Sequence, residues 1–64
     1  MLVNGVETTL EKECVLLDFL IRENYQTGRV AVEKNGKIVP KAQFENETLT
    51  NADRLEIVAF VGGG

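Results

Sequence analysis

The chain has 64 residues, a net charge of −3, one cysteine, no histidine and no tryptophan, a length that holds one small domain with little capacity for a deep pocket. Without histidine there is no Ser-His-Asp triad, no Cys-His pair and no imidazole metal ligand. One cysteine makes neither an internal disulfide nor a cysteine-built zinc or iron–sulfur site.

Met1–Val3 and Val6–Leu10 flank Asn4-Gly5, the dipeptide that most favours a two-residue hairpin turn because both residues tolerate positive φ. In the run that follows, Leu16, Phe19, Leu20 and Glu23 recur at i, i+3, i+4 and i+7. This predicts a helix from about Val15 to Asn24, with Leu17 and Ile21 on its shoulders. Its N-cap is poor, since neither Cys14 nor Val15 is a capping residue; Asn24 and Gly28 supply stop signals. Arg29–Glu33 alternates and predicts a strand with Val30 and Val32 facing a core. Asn35-Gly36 turns the chain into Lys37-Ile38-Val39, which ends at Pro40 because proline has no ladder donor. Lys41–Phe44 has room for a single turn that drops Phe44 into the core, and Glu45–Leu49 predicts a short strand. Arg54–Val61 is the strongest strand, with Leu55, Ile57 and Ala59 on the core face and Glu56, Val58 and Phe60 on the other.

The order β-β-α-β-β-(short β)-β is an α+β arrangement, one main helix packed on one face of a mixed sheet. A hairpin, a helix and further strands in so short a chain predict a β-grasp (ubiquitin-like) fold. The first and last strands then pair in parallel at the sheet centre, and the helix is the right-handed crossover. Residues 1–61 are expected to form a single domain and 62–64 a flexible C-terminal tail. No apolar run is long enough to span a membrane, the N-terminus has no basic n-region, and a small chain without disulfides is expected in the cytosol. Ten Asp+Glu against seven Lys+Arg argue against nucleic acid as a partner.

The chain ends Phe60-Val61-Gly62-Gly63-Gly64. At an average glycine content of about 7%, three in a row at a given place arise by chance about three times in ten thousand. A strong strand running directly into a tail without side chains displays the terminal carboxylate. Lacking Cβ, such a tail can thread a narrow tunnel into another protein's active site. There its carboxylate can be activated on the α-phosphate of ATP and then meet a sulfur or amine nucleophile. The alternatives are a frayed terminus or a linker.

The stretch Val30-Ala31-Val32-Glu33-Lys34-Asn35-Gly36-Lys37-Ile38-Val39-Pro40-Lys41 resembles the strand, Asn turn and Ile-Val-Pro segment of the ThiS/MoaD family of ubiquitin-like sulfur carriers. Leu16-Leu17-Asp18-Phe19-Leu20 is similar to the family's helix core, Phe44 stands where the family often has Trp, and Leu49–Asp53 and Leu55–Gly64 follow its ending. Lys41 in place of Arg, Asn51-Ala52-Asp53 in place of Asp-Gly-Asp, and Cys14-Val15 where Thr is usual are departures that do not touch the tail.

The resemblance implies a carrier and not an enzyme, with the Gly64 carboxylate as the reactive group. An E1-like adenylating enzyme of the ThiF type would activate it with ATP. Sulfur from a cysteine-derived persulfide, made by a cysteine desulfurase, would convert it to a thiocarboxylate. A thiazole synthase of the ThiG type would receive the sulfur in thiamine biosynthesis. ATP and sulfur are then used by the activating partner, and the chain, a monomer when alone, binds no cofactor and no metal itself. The alternatives are the small subunit of molybdopterin synthase, a carrier for another sulfur pathway, or a non-covalent β-grasp binding module with an inert tail.

Gly62, Gly63, Val58 and Phe60 are the expected partner-binding residues: the glycines as a thin tail, and Val58 and Phe60 as an apolar patch at its root on the open face of the sheet. Glu45, Glu47, Asp53 and Glu56 are candidates for steering a basic partner, or simply a solvated face. Cys14, with no partner thiol or adjacent cation evident, is expected to be an ordinary, partly buried cysteine.

Overall fold

The computed structural model describes residues 1–60. In chain order these form β1 (Leu2–Val3), β2 (Val6–Glu7), β3 (Cys14–Val15), helix α1 (Leu16–Arg22), β4 (Val30–Lys34), β5 (Lys37–Val39), β6 (Thr48–Leu49) and β7 (Arg54–Ala59). Two 3₁₀ turns, Thr27–Arg29 and Lys41–Gln43, connect them. Both Asn-Gly dipeptides make the expected hairpins. Asn4 (φ 51°), Gly5 (83°), Asn35 (53°) and Gly36 (86°) all lie in the left-handed region that a two-residue turn of this hand requires.

Five strands form one sheet in the order β2-β1-β7-β4-β5. β1 and β7 run parallel, with Leu2 beside Arg54 and Val3 beside Leu55; the remaining pairs are antiparallel. The first and last strands therefore meet at the sheet centre, as expected. The short strand expected over Glu45–Leu49 shrinks to Thr48–Leu49, because Phe44 and Asn46 spend their N–H groups on turn bonds to Lys41 and Gln43. It pairs not with the main sheet but with Cys14–Val15, in a separate antiparallel ladder.

Helix α1 is shorter than the predicted Val15–Asn24. Val15 is an extended N-cap with no side-chain cap bond. The orphan donors are met instead from a distant segment: Leu16 N–H donates to Glu47 O (2.7 Å) and Leu17 N–H to Phe44 O (2.9 Å). At the other end Asn24 turns to φ 66°. Tyr25 N–H donates to Leu20 O (2.9 Å) and Asn24 N–H to Ile21 O (3.0 Å), the paired bonds of a Schellman cap. Gly28, the other predicted stop, lies in the following 3₁₀ turn.

The helix lays Leu16, Phe19 and Leu20 on the sheet residues Val30, Val32, Val39, Leu55 and Ile57, and Met1, Leu10, Phe44 and Leu49 close the core. Ala59, expected on the core face, is exposed. Val30, opposite Ala59 on β4, is nonetheless buried.

One polar cluster ties β4 to the turn before β7. Lys34 Nζ donates to Glu47 Oε2 (2.9 Å) and Thr48 O (2.8 Å) and lies 3.9 Å from Asp53 Oδ2. Asp53 accepts from Asn35 Nδ2 (2.9 Å) and Thr50 N–H (2.8 Å). Burial pushes the Asp53 carboxyl up, but the Asn35 and Thr50 hydrogen bonds and the Lys34 charge outweigh it and hold it below its ordinary value near 3.8. A carboxylate depressed in the folded state adds stability above its unfolded pKa, and that stability is lost as pH falls through the folded value. Asp53→Asn should therefore cost about 1–3 kcal/mol at pH 7. The gap to the parent chain should narrow in urea titrations taken progressively below about pH 4. A gap that stays constant with pH would show that the charge of Asp53 contributes nothing.

Candidate functional site

The central strand carries the site. β7 is held on one edge by β1 and on the other by β4. Asn4 extends the first of these contacts past the end of β1. Its backbone N–H donates to Leu55 O (2.9 Å), its side-chain Oδ1 accepts from Ile57 N–H (2.7 Å), and its Nδ2 donates to Ile57 O (3.1 Å). The side-chain amide thus stands in for the next residue of a strand. On the other edge Phe60 N–H donates to Arg29 O (2.7 Å), one residue beyond the end of β7.

Period-2 alternation then places Val58 and Phe60 on the open face, 58% and 57% exposed. Val58 lies opposite Ala31, and Glu56 opposite Glu33, which in turn faces Ile38 on β5. Ile38 is 75% exposed. The open face is therefore an apolar surface at the end of β7 and a second apolar point on the edge strand, with two carboxylates between them. Ile38 was not among the expected site residues; the run Lys37-Ile38-Val39 does not say which of its two apolar residues faces the core, and the structure buries Val39.

The four expected steering carboxylates separate into two kinds. Glu47 and Asp53 are taken up by Lys34, so they brace the fold; Glu45 and Glu56 stay exposed. Cys14 is a free, partly buried thiol packed against the core. Among the described residues no three His, Cys, Asp or Glu side chains are grouped to hold a metal ion, and no helix is long and apolar enough to cross a membrane. Gly62, Gly63 and Gly64, the expected tail and reactive end, lie outside the described residues, as does Val61.

Known proteins share both this pattern and this architecture. Over all 64 residues the chain is 36% identical to a thiazole synthase of Paramagnetospirillum magneticum, of whose length it spans only 20%. Over 63 residues it is 33% identical to the sulfur carrier protein ThiS of Bacillus subtilis, covering 97% of this chain and 96% of that one. The crystal structure of the thiamine biosynthesis protein ThiS from Geobacter metallireducens superposes with a TM-score of 0.81 at 29% identity. That match covers 98% of this chain and 96% of that one, and the shared mixed sheet with one main helix is a β-grasp. The ThiS family model matches residues 2–64, from the first strand through the glycines, and the chain belongs to the ThiS family.

Proposed function

We propose that this chain is a sulfur carrier whose Gly64 carboxylate is the reactive group. An E1-like partner transfers AMP from ATP to that carboxylate, releasing pyrophosphate. The terminal sulfur of a persulfide attacks the acyl carbon and expels AMP; a thiol then cleaves the S–S bond and leaves a thiocarboxylate on Gly64. A thiazole synthase accepts the sulfur. The observation that carries this reading is the course of β7, a central strand hydrogen-bonded on both edges that leads within a few residues to Gly62-Gly63-Gly64. The family match through residue 64 supports it. So does the likeness of the whole chain to a fifth of the length of a protein named as a thiazole synthase.

In this reading the chain contributes an end group, a thin tail and a docking surface. Val58 and Phe60 are that surface: two exposed apolar side chains at the root of the tail, where a partner that swallows the tail must bury them.

Intact mass spectrometry tests the proposal. Incubation with ATP, an adenylating enzyme of the ThiF type and a persulfide source should add the difference between one sulfur and one oxygen. In the same assay Phe60→Asp should raise KM on the order of tenfold or more with an unchanged melting temperature. No mass gain with a partner active on its own carrier would overturn the carrier reading, and an unchanged KM would remove Phe60 from the docking surface.

A further inference from the structure

We propose that Asn4-Gly5 is a covalent modification site. Asn4 deamidates when its turn lets go of β7, and the folded domain holds the reaction off through the bonds between Asn4 and Ile57. This is independent of the carrier reading.

The chemistry follows from the dipeptide. The backbone nitrogen of the residue after an asparagine can attack the side-chain carbonyl carbon, and glycine, having no Cβ, leaves that nitrogen open to the approach. A bond forms from Gly5 N to Asn4 Cγ. The Cγ–Nδ2 bond breaks, and Nδ2 leaves as ammonia with the proton that Gly5 N gives up. Water then opens the cyclic imide at either of its carbonyls. One product is aspartate. The other, isoaspartate, carries the main chain through the side-chain carbon and lengthens the turn. Water is the only co-reactant.

In the fold this amide is occupied at both ends. Oδ1 accepts from Ile57 N–H (2.7 Å) and Nδ2 donates to Ile57 O (3.1 Å). Ring closure draws Cγ back onto the main chain of its own turn, so both bonds across to β7 have to break first. They engage the backbone of a residue only 6% exposed, on the central strand of the sheet, where unmet backbone groups are costly. Reaction therefore waits on a local opening of the contact between the first turn and β7. The second Asn-Gly is held less firmly. Asn35 Nδ2 donates to the Asp53 side chain (2.9 Å) and its Oδ1 accepts from Arg54 N–H (2.9 Å), both at exposed positions. The same dipeptide thus stands twice in one chain under two degrees of restraint.

Conversion of Asn4 changes what it can hold. The new carboxylate keeps an acceptor for Ile57 N–H but sets an oxygen where Nδ2 stood, facing Ile57 O with no proton between them. A reversible opening then becomes a permanent loss of that bond.

Peptide mapping by mass spectrometry tests this on the whole chain, incubated at mildly alkaline pH in buffer and in denaturing urea. In urea both asparagines should gain the mass difference between OH and NH2. In buffer Asn4 should convert at least about tenfold more slowly than in urea, and folding should slow it by a larger factor than it slows Asn35. Asn4→Asp, which supplies one product directly, should melt about 4–8 °C below the parent chain. Equal rates for Asn4 in buffer and urea overturn the inference, as does a larger protection of Asn35 than of Asn4, or no conversion of Asn4 in urea. A folded Asn4→Asp with the parent melting temperature also overturns it, because the Nδ2 bond would then not be what restrains the amide. If Asn4→Asp does not fold, the conversion rates decide by themselves.

Discussion

Deleting Gly64 is expected to abolish thiocarboxylate formation while leaving the domain intact. The new terminal carboxylate belongs to Gly63, so it is withdrawn by one residue, about 3.5 Å along an extended chain. Reaction requires the carboxylate oxygen within roughly 3–3.5 Å of the phosphorus it attacks, and a misplacement of about 1 Å already costs on the order of 100-fold. A withdrawal several times larger removes the reaction from the measurable range. The fold has no such dependence. The buried core on β7 ends at Ile57, and the last described tie, Phe60 to Arg29, lies four residues before the end. Intact mass should therefore show no gain with the partner, ATP and persulfide. The amide spectrum and melting curve should overlay those of the parent chain. Charging of the shortened chain at more than a small fraction of the parent rate would show that the reacting atom is not at Gly64.

The features that were legible in the sequence are those with a local cause. Asn4-Gly5 and Asn35-Gly36 turn the chain because of their own backbone preferences. Val30 and Val32 alternate into the core, and Pro40 ends β5 through its missing donor. Val58 and Phe60 were readable as an outward face by period alone. What escaped depends on pairing across the chain. Cys14–Val15 is a two-residue strand without a pattern of its own, defined only by its pairing with Thr48–Leu49, what remains of the strand expected over Glu45–Leu49. The helix begins at Leu16 because the Glu47 and Phe44 carbonyls cap it, which no residue near Leu16 announces. Asn4 offered a turn signal that hid a second role, bonding to Ile57 across 53 residues. Asp53 offered a surface charge that is in fact braced by Lys34, Asn35 and Thr50. Ala59 was expected in the core from its alternation with Leu55 and Ile57, yet it is exposed.

The largest stability loss is expected at Phe19. At about 0.05–0.15 kcal/mol per residue, a chain of this size is stable by roughly 3–10 kcal/mol in all. Phe19 is 2% exposed, on the helix face between Leu16 and Leu20. Arg22 stands over its ring at 5.5 Å from the centroid, so even its outer side is covered. Truncation of a buried phenylalanine to alanine costs about 3–5 kcal/mol, through lost apolar burial and the cavity left behind. That is a large fraction of the whole. Phe19→Ala should melt at least about 15 °C lower and be partly unfolded at room temperature, with docking lost along with the fold. Ile21, two residues on, is 58% exposed on the opposite side of the helix. Ile21→Ala should change stability by no more than about 0.5 kcal/mol. Circular dichroism melts of the two variants side by side measure the difference. Comparable losses from both would mean that α1 presents a different face to the sheet. The contrast also separates two ways of losing function: Phe19→Ala loses charging because the domain fails, whereas deletion of Gly64 loses it with the domain whole.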